Sequence, residues 1–151
     1  MKLNKLSEKY LQILIIIFSL LGVAVATYLI IETTNGTLQC GLGGCETVQK
    51  SKYAELFGQN ISWYGLAGYI GILVTAALRK DIFRIVGFGA TLFGFGISLY
   101  LTYLEIFVIK AICQYCVASA IIMTILFALA TLRVFLYYGF NESYKSDSDT
   151  P

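Results

Sequence analysis

Four long stretches of this chain carry no charged side chain, and they constrain its fold more than any other feature. Tyr10–Ile31 runs for 22 residues, Ile61–Leu78 for 18, Ile85–Leu104 for 20 and Ala111–Leu132 for 22. A helix needs about 20 apolar residues to cross a hydrocarbon core about 30 Å thick. Backbone polar groups in lipid must be satisfied within the protein, which leaves helices and closed barrels, and these runs are too long for barrel strands. The sequence therefore predicts an all-α integral membrane protein. Residues 1–140 would form a four-transmembrane-helix bundle, and 141–151 a disordered cytoplasmic tail. Composition agrees: 58% of residues are hydrophobic and 13% charged, against about a quarter charged in a soluble domain. A net charge of +2 is too small for phosphate-driven association, so the lipid bilayer is an expected partner and nucleic acid is not.

The first run has Lys2, Lys5 and Lys9 before it and a small-residue stretch, Ala24-Val25-Ala26, inside it. That is the outline of a signal peptide, whose apolar core spans only about 7–15 residues. The greater length here predicts an uncleaved span.

Basic residues set the expected orientation. Lys2, Lys5, Lys9, Arg79, Lys80, Arg84, Arg133 and Lys145 fall on one side, and Lys50, Lys52 and Lys110 on the other. Eight against three places both termini and the short Arg79–Arg84 loop in the cytoplasm. Short connections make spans two, three and four antiparallel neighbours. The Glu32–Asn60 connection is longer and faces outward, as does the Glu105–Lys110 turn. Glu46–Phe57 lacks Gly and Pro and predicts a short extracytoplasmic helix on the membrane surface. Glu105, closing the third run, reads as a solvated boundary charge.

Chemistry is confined to few residue types. The chain has no His, which removes His-ligated haem, His-containing zinc sites and a His base. Four cysteines remain. Cys40 and Cys45 enclose Gly41-Leu42-Gly43-Gly44, a flexible link. Cys113 and Cys116 form a Cys-x-x-Cys motif where the fourth span begins, so both sulfurs share a helical face. A helix N-terminus favours the thiolate, the form that attacks disulfides. Three readings stay open on the residues alone: structural disulfides, a four-cysteine zinc site and a redox relay. With no nucleotide-binding motif present, a relay in a membrane has a lipid-soluble quinone as its natural electron acceptor.

The arrangement Cys40…Cys45-x-x-Val48-x-x-Ser51-x-Tyr53-Ala54, then Gly58, Ser62-x-x-Gly65 and Cys113-x-x-Cys116, resembles the vitamin K epoxide reductase family. The resemblance covers roughly residues 10–135 and points to a prokaryotic, DsbB-like member. It implies a membrane thiol–quinone oxidoreductase that supports disulfide bond formation. Cys116 would reduce a quinone of the ubiquinone or menaquinone type, Cys113 would receive electrons from Cys45, and Cys40 would meet the redox partner. Ser51, Asn60, Ser62 and Trp63 would lie at the quinone. Animal members carry a quinone-contacting Tyr four residues after the second motif cysteine, where this chain has Ala120. Many prokaryotic relatives carry a fused thioredoxin-like domain behind a fifth span. This chain ends before either, so its partner is expected to be a separate thioredoxin-like (DsbA-like) protein. The reading from another class is a non-enzymatic four-helix scaffold or carrier with structural disulfides. Small residues at Gly65, Gly68, Ala90, Gly94 and Ser98 read first as helix-packing positions, with room for a flat ring as the second reading.

Overall fold

The computed structural model describes residues 2–36, 44–78 and 80–148. It is a predominantly helical membrane protein. The chain forms α1 (Lys2–Asn35), α2 (Cys45–Gln49), a 3-10 turn (Lys52–Ala54), the strands β1 (Glu55–Leu56) and β2 (Gln59–Asn60), and α3 (Ile61–Ala77). Then come α4 (Asp81–Tyr103), a π-helical turn (Leu104–Ile109) and α5 (Gln114–Ser148). Among the described residues, three helical stretches are long and apolar enough to cross a membrane: Leu6–Asn35, Asp81–Ile109 and Gln114–Gly139. The fourth apolar helix, Ile61–Ala77, is shorter at 17 residues.

α1, α4 and α5 extend past the uncharged stretches because charges are accepted at helix ends. Asp81 sits in the first turn of α4, where an acidic side chain meets the positive end of the helix dipole. Arg84 pairs with Glu8 of α1 at 3.2 Å and lies 4.0 Å over the Tyr137 ring of α5. These contacts tie three helices together at the bundle end away from the cysteines. α5 continues to Ser148, past the Asn141 boundary expected from composition. Nothing between Asn141 and Ser148 is Gly or Pro, so no residue there ends the helix.

The four long helices close into a ring: α1 packs on α3 and α5, and α4 packs on the same two helices. One core cluster joins Ile15 and Ala26 of α1, Tyr69, Ile72 and Ala76 of α3, and Met123 and Leu126 of α5. Gly22 is required here, because a Cβ would collide with the Tyr69 ring. Phe95 and Phe127 stack at 5.0 Å between α4 and α5. Large apolar side chains such as Ile17, Leu21, Leu92 and Phe135 point out of the bundle, as lipid-facing surfaces require.

The connection after α1 differs from the single helix expected over Glu46–Phe57. α2 ends at Gln49, and the rest folds as a 3-10 turn and an antiparallel hairpin with Glu55 opposite Asn60 and Leu56 opposite Gln59. The two-residue turn has positive φ at Phe57 (54°) and Gly58 (78°), the backbone of tight hairpin turns. Gly58 supplies that conformation freely, whereas Phe57 does so at a cost.

Candidate active site

Cys113 and Cys116 are free thiols, while Cys45 is disulfide-bonded. Cys40 lies outside the described residues. The Cys-x-x-Cys geometry differs from the pair of in-helix residues expected. Cys113 precedes α5 and caps it: its sulfur accepts the Cys116 N–H at 3.3 Å, and its carbonyl accepts the Val117 N–H at 3.0 Å. A side chain taking a backbone N–H of the first turn is ordinary capping, here performed by a thiol. Tyr115, inside the motif, packs on Tyr28 of α1 with ring centroids 4.9 Å apart. The Cys116 thiol, as hydrogen-bond partner, pulls the Cys113 thiol below its ordinary range, against burial and the nearby Glu105 carboxylate.

The two cysteine pairs meet through one packed seam. Cys45 and Cys113 are both fully buried and belong to one cluster with Leu29 and Val48. Gly44 lies against the backbone of Ile112, and a Cβ there would strike the Ile112 carbonyl oxygen. The glycine next to Cys45 therefore brings its loop onto the segment that leads into Cys113. Flexibility is the property that the sequence suggests for this Gly-rich link, and close approach is what Gly44 supplies.

Cys116 opens onto a cavity of about 440 Å³ between α1, α3, α4 and α5. Its lining is mainly apolar, with Gln49, Ser62, Tyr64, Tyr69, Ser98, Thr102, Glu105 and Ser119 as polar groups. Size and lining both suit a ring-shaped organic molecule. The small-residue positions create this space. Gly65 and Gly68 have nothing within 4 Å of where a Cβ would stand. They therefore do not bring helices together, and the second reading of the stripe is the one that fits them. Gly94 differs, since Met123 packs into its missing Cβ. Ala120 also lines the cavity, with a methyl group where animal relatives present a phenol.

The residues expected at the quinone separate into distinct places. Ser62 is buried, lines the cavity, and donates through Oγ to Gln49 Oε1 at 3.5 Å. Asn60 caps α3, its Oδ1 accepting the Ser62 N–H at 2.9 Å while its Nδ2 donates to the Gln49 carbonyl at 3.4 Å. Ser51 donates to the Val48 carbonyl at 2.7 Å and borders a second crevice of about 20 Å³, which it shares with Cys116. Trp63 is half-exposed and does not line the large cavity; its neighbour Tyr64 does.

Two residues were missed by sequence reasoning. Gln49 is 3% exposed and donates through Nε2 to the Cys116 sulfur at 3.5 Å. It lies four residues after Cys45, on the same face of α2, and that spacing was the available signal. Glu105 was expected to be solvated and is instead 4% exposed, accepting the Cys113 N–H at 3.2 Å. Its only signal was the placement of a lone carboxylate eight residues before Cys113. Among the described residues, no group of three or more His, Cys, Asp and Glu side chains could hold a metal ion.

Compared with known families, residues 13–131 match the family model described as "Vitamin K epoxide reductase family".

Proposed function

The chain belongs to the vitamin K epoxide reductase family, and from that premise we propose a specific electron path through it. Members of this family are membrane oxidoreductases that use quinones or vitamin K as electron partners and generally work with a thioredoxin-like protein. In this chain, electrons from a separate thioredoxin-like protein enter at Cys40 and Cys45, move to Cys113 and Cys116, and leave to a quinone. The net result is disulfide formation in the partner. The observation that carries this reading is the free Cys116 thiol at the mouth of a cavity of about 440 Å³.

The residues present fit a quinone: apolar walls for the ring, a few hydroxyls for its oxygens, and a thiol at one end. When bound, the quinone supplies an acceptor for two electrons and two protons. The protein's own residues do the rest. The Cys116 N–H holds the Cys113 sulfur beside Cys116, so the second sulfur is placed to close a disulfide. The common cluster of Cys45 and Cys113 supports thiol–disulfide exchange between the pairs. Gln49 steadies the Cys116 sulfur, and Ser62 steadies Gln49. Ala120 offers no hydroxyl where animal relatives have one, which favours a quinone over a vitamin K epoxide.

The reading includes four spans, with α3 as the short one, since 17 residues lies at the lower end of what crosses a bilayer. The excess of basic residues, eight against three, supports a topology with both termini in the cytoplasm and the cysteines on the extracytoplasmic side, in the plasma membrane of a prokaryote.

The test is direct. Purified protein, fully reduced and freed of reductant under anaerobic conditions, is mixed with a soluble quinone. Thiol titration should show two thiols lost per quinol formed. Thiols that stay reduced would leave the scaffold reading in its place.

A further inference from the structure

Glu105 is an acid buried where a bilayer meets its protein, and burying a carboxylate is costly unless it is paired or used. The backbone holds it there with some precision. The π-helical turn Leu104–Ile109 ends at Lys110, whose φ of 55° is left-handed, and the Ala111 N–H closes the turn on the Glu105 carbonyl at 3.2 Å. π-helical turns concentrate at functional sites. The carboxylate accepts the Cys113 N–H at 3.2 Å, three residues before Cys116. Glu105 and Cys116 together border both the large cavity and the crevice of about 20 Å³, which is room for about one water.

We propose that Glu105 is the proton acceptor for the Cys116 thiol and hands that proton to the quinone. The inference rests on the quinone reading above. As the Cys113–Cys116 bond forms, the pair gives up two electrons and two protons. The Cys116 proton moves to the Glu105 carboxylate, and the Cys113 proton leaves to water at the outer surface. Both electrons pass to the quinone. One quinol proton then comes from the Glu105 carboxylic acid, which returns to carboxylate, and the second comes from water. Two thiols and a quinone become one disulfide and one quinol, with Glu105 unchanged.

Among the other titratable groups nearby, Tyr53 borders the small crevice with Glu105 and Cys116. On α2, which packs against the π-helical turn, Cys45 is disulfide-bonded and Glu46 points to solvent in an ion pair with Lys50 at 2.6 Å. Lys110 is exposed. In the cavity wall, the Tyr69 hydroxyl is held by Ser119 at 2.7 Å; Tyr64 is the remaining phenol there.

The test uses Glu105→Gln, with Glu105→Asp as the variant that keeps the carboxyl. The first readout needs no quinone: the pH profile of Cys116 alkylation in reduced Cys113→Ser protein, where serine preserves the cap of α5. Removing a carboxylate beside the thiol should move the profile to lower pH in Glu105→Gln and leave it in place in Glu105→Asp. The second readout is quinone reduction. Glu105→Gln should lower kcat about 100-fold, with KM for quinone unchanged, and Glu105→Asp should recover part of the loss. The low-pH fall in kcat, where the carboxylate becomes protonated, should vanish in Glu105→Gln. An unshifted alkylation profile, or wild-type kcat in Glu105→Gln, overturns the assignment. Failure of the quinone reading itself shows differently: the wild-type protein would reduce no quinone, while the alkylation profiles would still decide whether Glu105 faces Cys116.

Discussion

Gln49 and the two thiols show how few atoms define the chemistry. A buried amide donating to a sulfur stabilises its thiolate, and a hydrogen bond to a charged group contributes about 1.5–3 kcal/mol. In the Cys113→Ser background, Gln49→Leu should therefore slow alkylation of Cys116 roughly tenfold or more at a fixed pH near neutrality. Stopped alkylation followed by mass measurement checks it. Cys113 should behave in the opposite sense to a buried thiol without a partner. Its thiol is held below the ordinary range by Cys116, so in the reduced protein Cys113 should alkylate at lower pH than a free cysteine does. The sign for stability follows: a depressed folded-state value favours the reduced fold above the ordinary thiol range, and that contribution is lost as pH falls through the depressed value. The sequence made the cysteines legible because their spacing survives any fold. It hid Glu105, because a charge closing an apolar run looks the same whether it faces water or folds back under a π-helical turn. Gln49 stayed hidden for a related reason, since an amide within a polar loop carries no mark of burial.

At the scale of elements, each helix was readable and each connection less so. α3 covers Ile61–Ala77, one residue short of the uncharged run, because charge exclusion and helix length answer to the same lipid. The expected helix over Glu46–Phe57 gives way to a hairpin after Gln49. The absence of Gly and Pro argued for helix there, but tertiary context placed Phe57 in the left-handed conformation that a tight turn needs. The small residues were visible, but only side-chain positions separate close packing from open space. Two substitutions make that separation measurable. Gly68→Leu enters open cavity, so it should keep thermal stability in detergent while raising KM for quinone about tenfold, the equivalent of about 1.4 kcal/mol of binding. Gly44→Ala meets the Ile112 backbone instead. It should lower stability by about 1–3 kcal/mol and slow electron transfer from the outer partner. A small dithiol that reaches Cys113 and Cys116 directly should still support quinone reduction. Equal stability losses from both changes would remove the distinction between cavity and seam.

For the whole molecule, the ring of four helices places its cysteine chemistry at one end and its Arg84–Glu8 clasp at the other. That polarity agrees with the distribution of basic residues, and it carries a topological prediction. In intact cells, a membrane-impermeant thiol reagent should label reduced Cys40 or Cys45 from outside; labelling only after the cytoplasmic face is opened would reverse the orientation. Overall architecture was legible because a bilayer leaves few options to a chain with four uncharged runs. The cavity was not, because an internal volume depends on how four helices meet. The central claim is that electrons leave through Cys116, the thiol that faces that cavity. The measurement that reaches it most directly is an anaerobic single-turnover reaction of reduced wild-type and Cys116→Ser protein with one equivalent of soluble quinone, followed by quinone absorbance. Wild-type protein should form quinol with loss of the Cys113 and Cys116 thiols, and Cys116→Ser should form none. Quinol produced by Cys116→Ser at the wild-type rate would contradict the account.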